Sequence, residues 1–471
     1  MSGKLKKITA YTGASLLLFG LFYFSVISGL GTSANKHGVA GSGGRGQEQQ
    51  VHFQRLNMNE KLKLLIKDTD NRNYFRIEED GVAFFASAED KAANRVEFKI
   101  YYDEKYAFED LMAFYPSDSL GLLFTRKGTE RLPGVPVREK SPVLLANDSK
   151  MPLRGVRIAL DPGHLGGSMQ MAMLENKFVR IRYQGQVKEF NEGNLNLATA
   201  LLLKQQLERL GAEVMLTRYK EGWSAFDKTW PQWLKEDFKK ALAAERRRGN
   251  ITTGQARFLA KASEQVIYHQ LFKGLEIRER AKKINRFQPD FTLVIHYNIH
   301  EPNFHNRLAD ESILPATENY CMAFVPGSFL KGELKTTEER IALARMLLTD
   351  ELERSIALSQ GIMQSHTELL QIPPVSPDAP LGYLQHNSIA TEAVAVYARN
   401  LALTRMVNGP ICYGESLCQD SSEEFLQFAT SDGSTRLAMR LPRLQQVTTA
   451  YLNGILGYLG VQYEPAPAFF Q

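Results

Sequence analysis

From Gly155 onward, short apolar runs alternate with amphipathic helical stretches, and this alternation restricts the chain more than any other feature. Val156-Arg157-Ile158-Ala159-Leu160, Glu213-Val214-Met215-Leu216-Thr217-Arg218, Phe291-Thr292-Leu293-Val294-Ile295 and Ile411-Cys412-Tyr413 read as strands. Between the first two, Asn194 to Leu210 reads as a helix with Leu195, Ala198, Leu202 and Leu203 on one face and Gly211 ending it. Such βαβ alternation predicts an α/β fold, a mostly parallel sheet flanked by helices on both faces. The 471 residues leave room for further domains.

Polar residues follow these runs at places that matter. His164 closes Asp161-Pro162-Gly163-His164, His296 follows Ile295 directly, and Glu415 comes one glycine after Tyr413. In open α/β sheets the carboxyl ends of the strands form the site crevice. Glu192 stands just before the helix that starts near Asn194 and faces the same layer. Two histidines and a glutamate are a ligand set for hydrolytic zinc, and a second glutamate held off the metal serves as general base. A zinc amide hydrolase needs these four groups and few others.

These residues also carry a family resemblance. Ala159-Leu160-Asp161-Pro162-Gly163-His164-Leu165-Gly166-Gly167 resembles the opening motif of the zinc-dependent N-acetylmuramoyl-L-alanine amidases. Glu192-Gly193-Asn194-Leu195-Asn196-Leu197-Ala198 is similar to the second block, and Arg280 to Asn285 with Pro289-Asp290-Phe291 and Ile295-His296-Tyr297-Asn298 is similar to the third. Pro410 to Leu417 is similar to the last block, and Tyr451 to Tyr458 to the closing helix. The resemblance implies that His164, Glu192 and His296 hold Zn2+ and that Glu415 is catalytic. It implies hydrolysis of the amide between N-acetylmuramic acid and L-alanine in peptidoglycan. A zinc peptidase cutting a stem-peptide bond and a non-catalytic peptidoglycan-binding scaffold are the alternatives.

Three departures from the family pattern stand out. The His164 to Glu192 gap is long, so Glu175 and Glu189 compete for the second ligand position, and only Glu192 has Asn-Leu-Ala at the right offset. The usual Asn after the last block is replaced near Gln419-Asp420. Residues 222–276 form a charged, helical insertion, expected either to cap the site or dock a protein activator, or to be a passive surface elaboration. His300 and His305 read as solvated loop residues, and His366 and His386 are too far from any block to assign.

The N-terminal portion has other textures. Met1 to Lys7 is basic, and Ile8 to Leu30 is a 23-residue uncharged stretch. At about 1.5 Å per helical residue it spans the ~30 Å hydrocarbon layer. We expect residues 1–34 to be a signal-anchor or signal peptide that holds the rest in the periplasm or cell envelope, tethered to the inner membrane through residues 8–30. Residues 35–50 read as a flexible linker. Residues 51–150 read as a small β-rich domain around Asn73–Ile77, Val82–Phe85 and Val96–Tyr102, and 151–465 as the catalytic domain. The formal charge of +5 is small for this length and disfavours a nucleic-acid partner. Cys321, Cys412 and Cys418 read as buried thiols, with a Cys412–Cys418 pair as the alternative.

Overall fold

In the computed structural model the described residues are 55–114, 128–132, 150–429 and 433–461. The expected membrane segment at 8–30 and the linker at 35–50 lie outside them. Among the described residues, no helix is long and apolar enough to cross a membrane.

Among the described residues, twelve strands form three sheets. The first sheet is small and antiparallel: β1 (Phe75–Ile77), β2 (Gly81–Phe84) and β3 (Phe98–Tyr101). They fall on the three apolar runs read from the sequence. Their inward side chains, Phe75, Val82, Phe84, Phe98 and Ile100, share one core cluster with Leu334 and Ile341 of the C-terminal part. Buried charge pairs join the same parts: Lys61 Nζ lies 2.9 Å from Glu353 Oε1, and Arg340 Nε 2.6 Å from Glu97 Oε2.

The main sheet takes β4 (Arg157–Pro162), β7 (Glu213–Leu216), β8 (Phe291–Asn298), β9 (Met322–Val325), β10 (Ser388–Ala390), β11 (Val396–Arg399) and β12 (Ile411–Cys418). Its order is β10-β11-β9-β12-β8-β4-β7. β7-β4-β8-β12 are parallel, as the alternation predicts. β9 runs antiparallel to β12, β11 is parallel to β9, and β10 reverses again. The mixed half has no counterpart in the sequence reading, because β9 and β11 are short apolar runs without the polar punctuation of the others.

Remaining strands β5 (Phe178–Tyr183) and β6 (Gln186–Asn191) form a separate antiparallel hairpin. With the helix Met169–Glu175 it fills the long gap between His164 and Glu192. Asn191 at the end of β6 then caps the next helix, Glu192–Arg209, its side chain accepting from Asn194 N at 2.8 Å. That helix buries Leu195, Ala198, Leu203 and Leu207 against the sheet.

The insertion is helical, as expected, over Trp230–Glu236, Phe238–Arg247, Thr253–Leu259 and Glu264–Ile267. A π-turn at Tyr268–Phe272 leads into the helix Lys273–Phe287. The insertion has an apolar centre of its own, in which Trp230, Trp233, Tyr268 and Phe272 pack with Leu165 from the loop after β4. All three cysteines are free and buried. Cys412 and Cys418 sit six residues apart on β12, at about 3.3 Å per residue far beyond disulfide reach, so the alternative pairing is excluded.

Candidate metal centre

β4 delivers the first ligand candidate. It ends at Pro162, Gly163 follows, and His164 takes a left-handed backbone, φ 59°. A side chain at 163 would push the His296 ring aside, since a Cβ would sit 2.1 Å from His296 Nε2. The unfavourable backbone at His164 is held by bonds to the carbonyls around it. Arg280 donates from Nη2 to His164 O at 3.0 Å and from Nη1 to Pro162 O at 2.8 Å. Arg218 donates to Pro162 O and Gly163 O, each at 2.9 Å, and Asn196 Nδ2 to Gly163 O at 3.0 Å. Arg280 is charge-compensated by Asp161 and Glu276, at 3.2 and 2.8 Å. Among the described residues Arg218 has no such partner, and burial together with neighbouring Arg280 pulls its pKa down to about 9.

The helix Glu192–Arg209 delivers the second candidate. Gly193 lets its first turn press on the loop, because a Cβ there would meet Gly166 N at 2.3 Å. Glu192 therefore lies beside His164 at a helix N-terminus that favours a carboxylate. β8 delivers His296 beside β4, with Ile295 in register with Pro162.

The three side chains converge, and their candidate ligand atoms all lie within 4.8 Å of one another. His296 Nδ1 is 2.7 Å from Glu192 Oε1, and His164 Nε2 is 3.2 Å from the same oxygen. The second approach lacks hydrogen-bond geometry, so His164 Nε2 is a buried nitrogen without a hydrogen-bond partner. An orphaned imidazole nitrogen, a second imidazole and a buried carboxylate fit a tetrahedral zinc site, in which bonds of about 2.0–2.2 Å hold N and O ligands. The two rings meet edge to face, centroids 4.7 Å apart.

The far ring nitrogens are also held, as metal-binding histidines require. Glu175, a competitor for the ligand role in the sequence, sits instead on the opposite nitrogen of His164: Nδ1 is 3.0 Å from its Oε1, while its Oε2 accepts from Leu165 N at 3.1 Å. Burial opposes its ionisation, but His164 and these hydrogen bonds win and bring its pKa down to about 2. Glu189 pairs with Arg180 on the β5–β6 hairpin at 2.5 Å, away from the group. His296 Nε2 meets the Tyr413 hydroxyl at 2.8 Å, and the two rings stack 4.6 Å apart. Tyr413 was not singled out from the sequence. The available signal was its place two residues before Glu415 on a strand, which puts both on one face.

Glu415 lies directly across from His296 in the β12–β8 register. Burial and the negative charge of Glu192 push its carboxyl up to about 8. Burial works against a charged Glu192 too, yet His164 and Lys177, whose Nζ is 3.7 Å from its Oε2, hold its pKa well below the usual range. Burial opposes a charged His164, but Glu192 and Glu175 raise its pKa, while burial brings His296 down to about 4. The two glutamates thus have opposite proton affinities, the pattern of a ligand and a base.

The other histidines weighed from the sequence lie elsewhere. His300 sits 3.4 Å from the Tyr320 hydroxyl and His305 is exposed at the end of the short helix Glu301–His305. His366 is buried in the helix Glu351–Leu370 with Nδ1 2.9 Å from Ile362 O, and His386 is exposed. Asp420, in the departure after the last block, accepts from His300 N at 3.0 Å and Asn303 Nδ2 at 2.6 Å, tying that loop to the end of β8.

Comparison with known proteins bears on this site. Residues 158–306 match the family model Amidase_3, N-acetylmuramoyl-L-alanine amidase. The matched span includes His164, Glu192 and His296 and stops short of Glu415. No match was found among curated proteins. Among solved structures, the CwlD amidase from Clostridioides difficile, in complex with the GerS lipoprotein, is 17% identical, with 65% of this chain and 100% of that chain covered and a TM-score of 0.34. The N-acetylmuramyl-L-alanine amidase Ami1 from Mycobacterium smegmatis is 14% identical, covering 66% and 99%, with a TM-score of 0.35. The catalytic domain of CwlV from Bacillus (Paenibacillus) polymyxa var. colistinus is 14% identical, covering 65% and 99%, with a TM-score of 0.33.

Proposed function

We propose that this chain, whose residues 158–306 match the N-acetylmuramoyl-L-alanine amidase family, is a zinc-dependent amidase that hydrolyses the bond between N-acetylmuramic acid and L-alanine in peptidoglycan. The observation that carries the reading is the convergence of His164 Nε2, His296 Nδ1 and Glu192 Oε1, with Glu415 in register beside them. His164, Glu192 and His296 hold the ion, oriented from behind by Glu175 and Tyr413. Zinc bound there supplies Lewis acidity toward the scissile carbonyl.

Glu415 takes the proton of the attacking water and returns it to the L-alanine nitrogen as the C–N bond breaks. The products are a lactyl carboxylate on an intact glycan strand and a free peptide amine. Burial of Glu415 raises its proton affinity, which favours its taking the proton from water. Peptidoglycan as substrate places the enzyme outside the cytoplasm, and residues 8–30 are its proposed inner-membrane tether. We assign residues 222–276 as the surface for a protein activator, on the ground that their apolar centre reaches Leu165 beside His164. Deleting them without change in turnover or in partner response excludes that role.

The test is metal analysis of the purified protein followed by digestion of sacculi with wild type and Glu415→Gln. About one zinc per chain, release of peptides with a free L-alanine amine, and loss of release in the variant are expected. A zinc-free wild type, or a variant that digests equally well, overturns the assignment.

A further inference from the structure

Beyond the ligands and the base, Arg399 lies on the same face of the sheet with no hydrogen bond or ion pair among the described residues. Arg399 ends β11, whose Tyr397 is in register with Phe324 of β9, which is in turn in register with Tyr413 of β12. The Arg399 guanidinium carbon lies 5.0 Å from the centre of the Phe324 ring and 5.1 Å from that of Tyr383. Phe324 meets Tyr413 edge to face at 6.2 Å, and Tyr413 stacks on His296. An unbroken aromatic floor therefore runs from the metal site to Arg399.

Among the described residues, the Arg399 side chain makes no hydrogen bond and no ion pair. Glu415 and Glu301 are close enough to act on its charge, but Glu301 is engaged by Gly382 N at 2.5 Å and Glu415 faces His296 across the strands. A half-buried guanidinium stacked on two rings is weakly hydrated, and among the described residues its N–H fork meets no acceptor. Such a fork matches a carboxylate in bidentate fashion.

We propose that Arg399 binds a carboxylate of the stem peptide beyond L-alanine, so that the enzyme selects acidic over amidated peptides. The inference rests on the amidase reading for the identity of the ligand, and on the aromatic floor for its position. Partial desolvation of Arg399 disfavours its charge in the free enzyme, and an arriving carboxylate relieves that cost. Because Arg399 has no hydrogen bond or ion pair among the described residues to lose, its replacement is expected to leave the fold intact.

The experiment compares the zinc-loaded full chain and its Arg399→Gln and Arg399→Lys variants. The substrates are two synthetic muramoyl peptides, one with free peptide carboxylates and one with all of them amidated. Wild type is expected to favour the free acid by about 10- to 100-fold in kcat/KM, mainly through KM, as loss of a charged hydrogen-bonded pair implies. Arg399→Gln is expected to treat the two substrates alike and Arg399→Lys to recover part of the preference. Equal rates for wild type on both overturn the proposal. Calorimetric binding of both peptides to Glu415→Gln, with and without Arg399→Gln, separates it from the amidase reading. Carboxylate-dependent binding without any turnover by wild type supports the anchor and overturns the reaction. Absence of both turnover and binding overturns both.

Discussion

The Tyr413 hydroxyl stands 2.8 Å from Nε2 of His296 while the two rings stack, so the imidazole is fixed in both tilt and rotation before any ion arrives. Its Nδ1 is left pointing to Glu192. Tyr413→Phe keeps the stack and removes only the hydrogen bond. We predict an approximately 10- to 100-fold loss of zinc affinity with little loss of stability, as for other partners of metal-bound histidines. Competition with a chromophoric chelator measures it.

Gly163→Ala addresses the packing between the two ligand strands. The added methyl would meet the His296 ring at 2.1 to 2.7 Å, so the ring must move to admit it. A destabilisation of about 1–3 kcal/mol is expected from the overpacking, with displacement of His296 and loss of bound zinc. Urea denaturation and metal content, read on the same preparation, check both halves.

Glu175→Gln separates orientation from ligation. It removes the charge behind His164 Nδ1 but keeps an amide oxygen for the ring or for Leu165 N. Zinc affinity is predicted to fall by about tenfold, with the metal still bound at saturating concentration. His164→Ala, by contrast, should abolish binding at the same concentrations.

The metal-free protein has a pH dependence whose sign follows from the site. A carboxyl raised to about 8 in the folded state, like that of Glu415, favours folding while protonated. Its contribution is present below the ordinary carboxyl range, near 4.5, and is lost as pH rises through about 8. His164, whose pKa is also raised, acts in the same sense. Glu175 acts in the opposite sense, its contribution being present above the ordinary range and lost as pH falls toward about 2. His296 and His366, which burial lowers to about 4, act against this loss up to the ordinary histidine value of 6.5. Chelator-treated wild type should therefore lose stability between about pH 6.5 and 8, and Glu415→Gln should flatten that slope. Urea midpoints across the range give the comparison.

The parallel half of the main sheet and the four polar residues at its rim were legible because each strand carries its own signal: an apolar run followed at once by His164, by His296 or, after one glycine, by Glu415. Glu192 was legible from the start of the helix that follows it. The roles of Glu175 and Tyr413 were not. Glu175 was visible as a carboxylate but not as a partner of Nδ1, because the choice depends on how the helix Met169–Glu175 folds back onto the loop. Tyr413 reaches a histidine 117 residues away through strand pairing that no local pattern encodes. Arg399 belongs to the mixed half, whose order follows from long-range register alone.

The carbonyls of Pro162, Gly163 and His164 are each grasped by a buried arginine. Because that loop is locked by the protein's own interior, capture of the ion requires no chain rearrangement. Metal uptake should then proceed in a single kinetic phase, and the emptied protein should remain competent to reload.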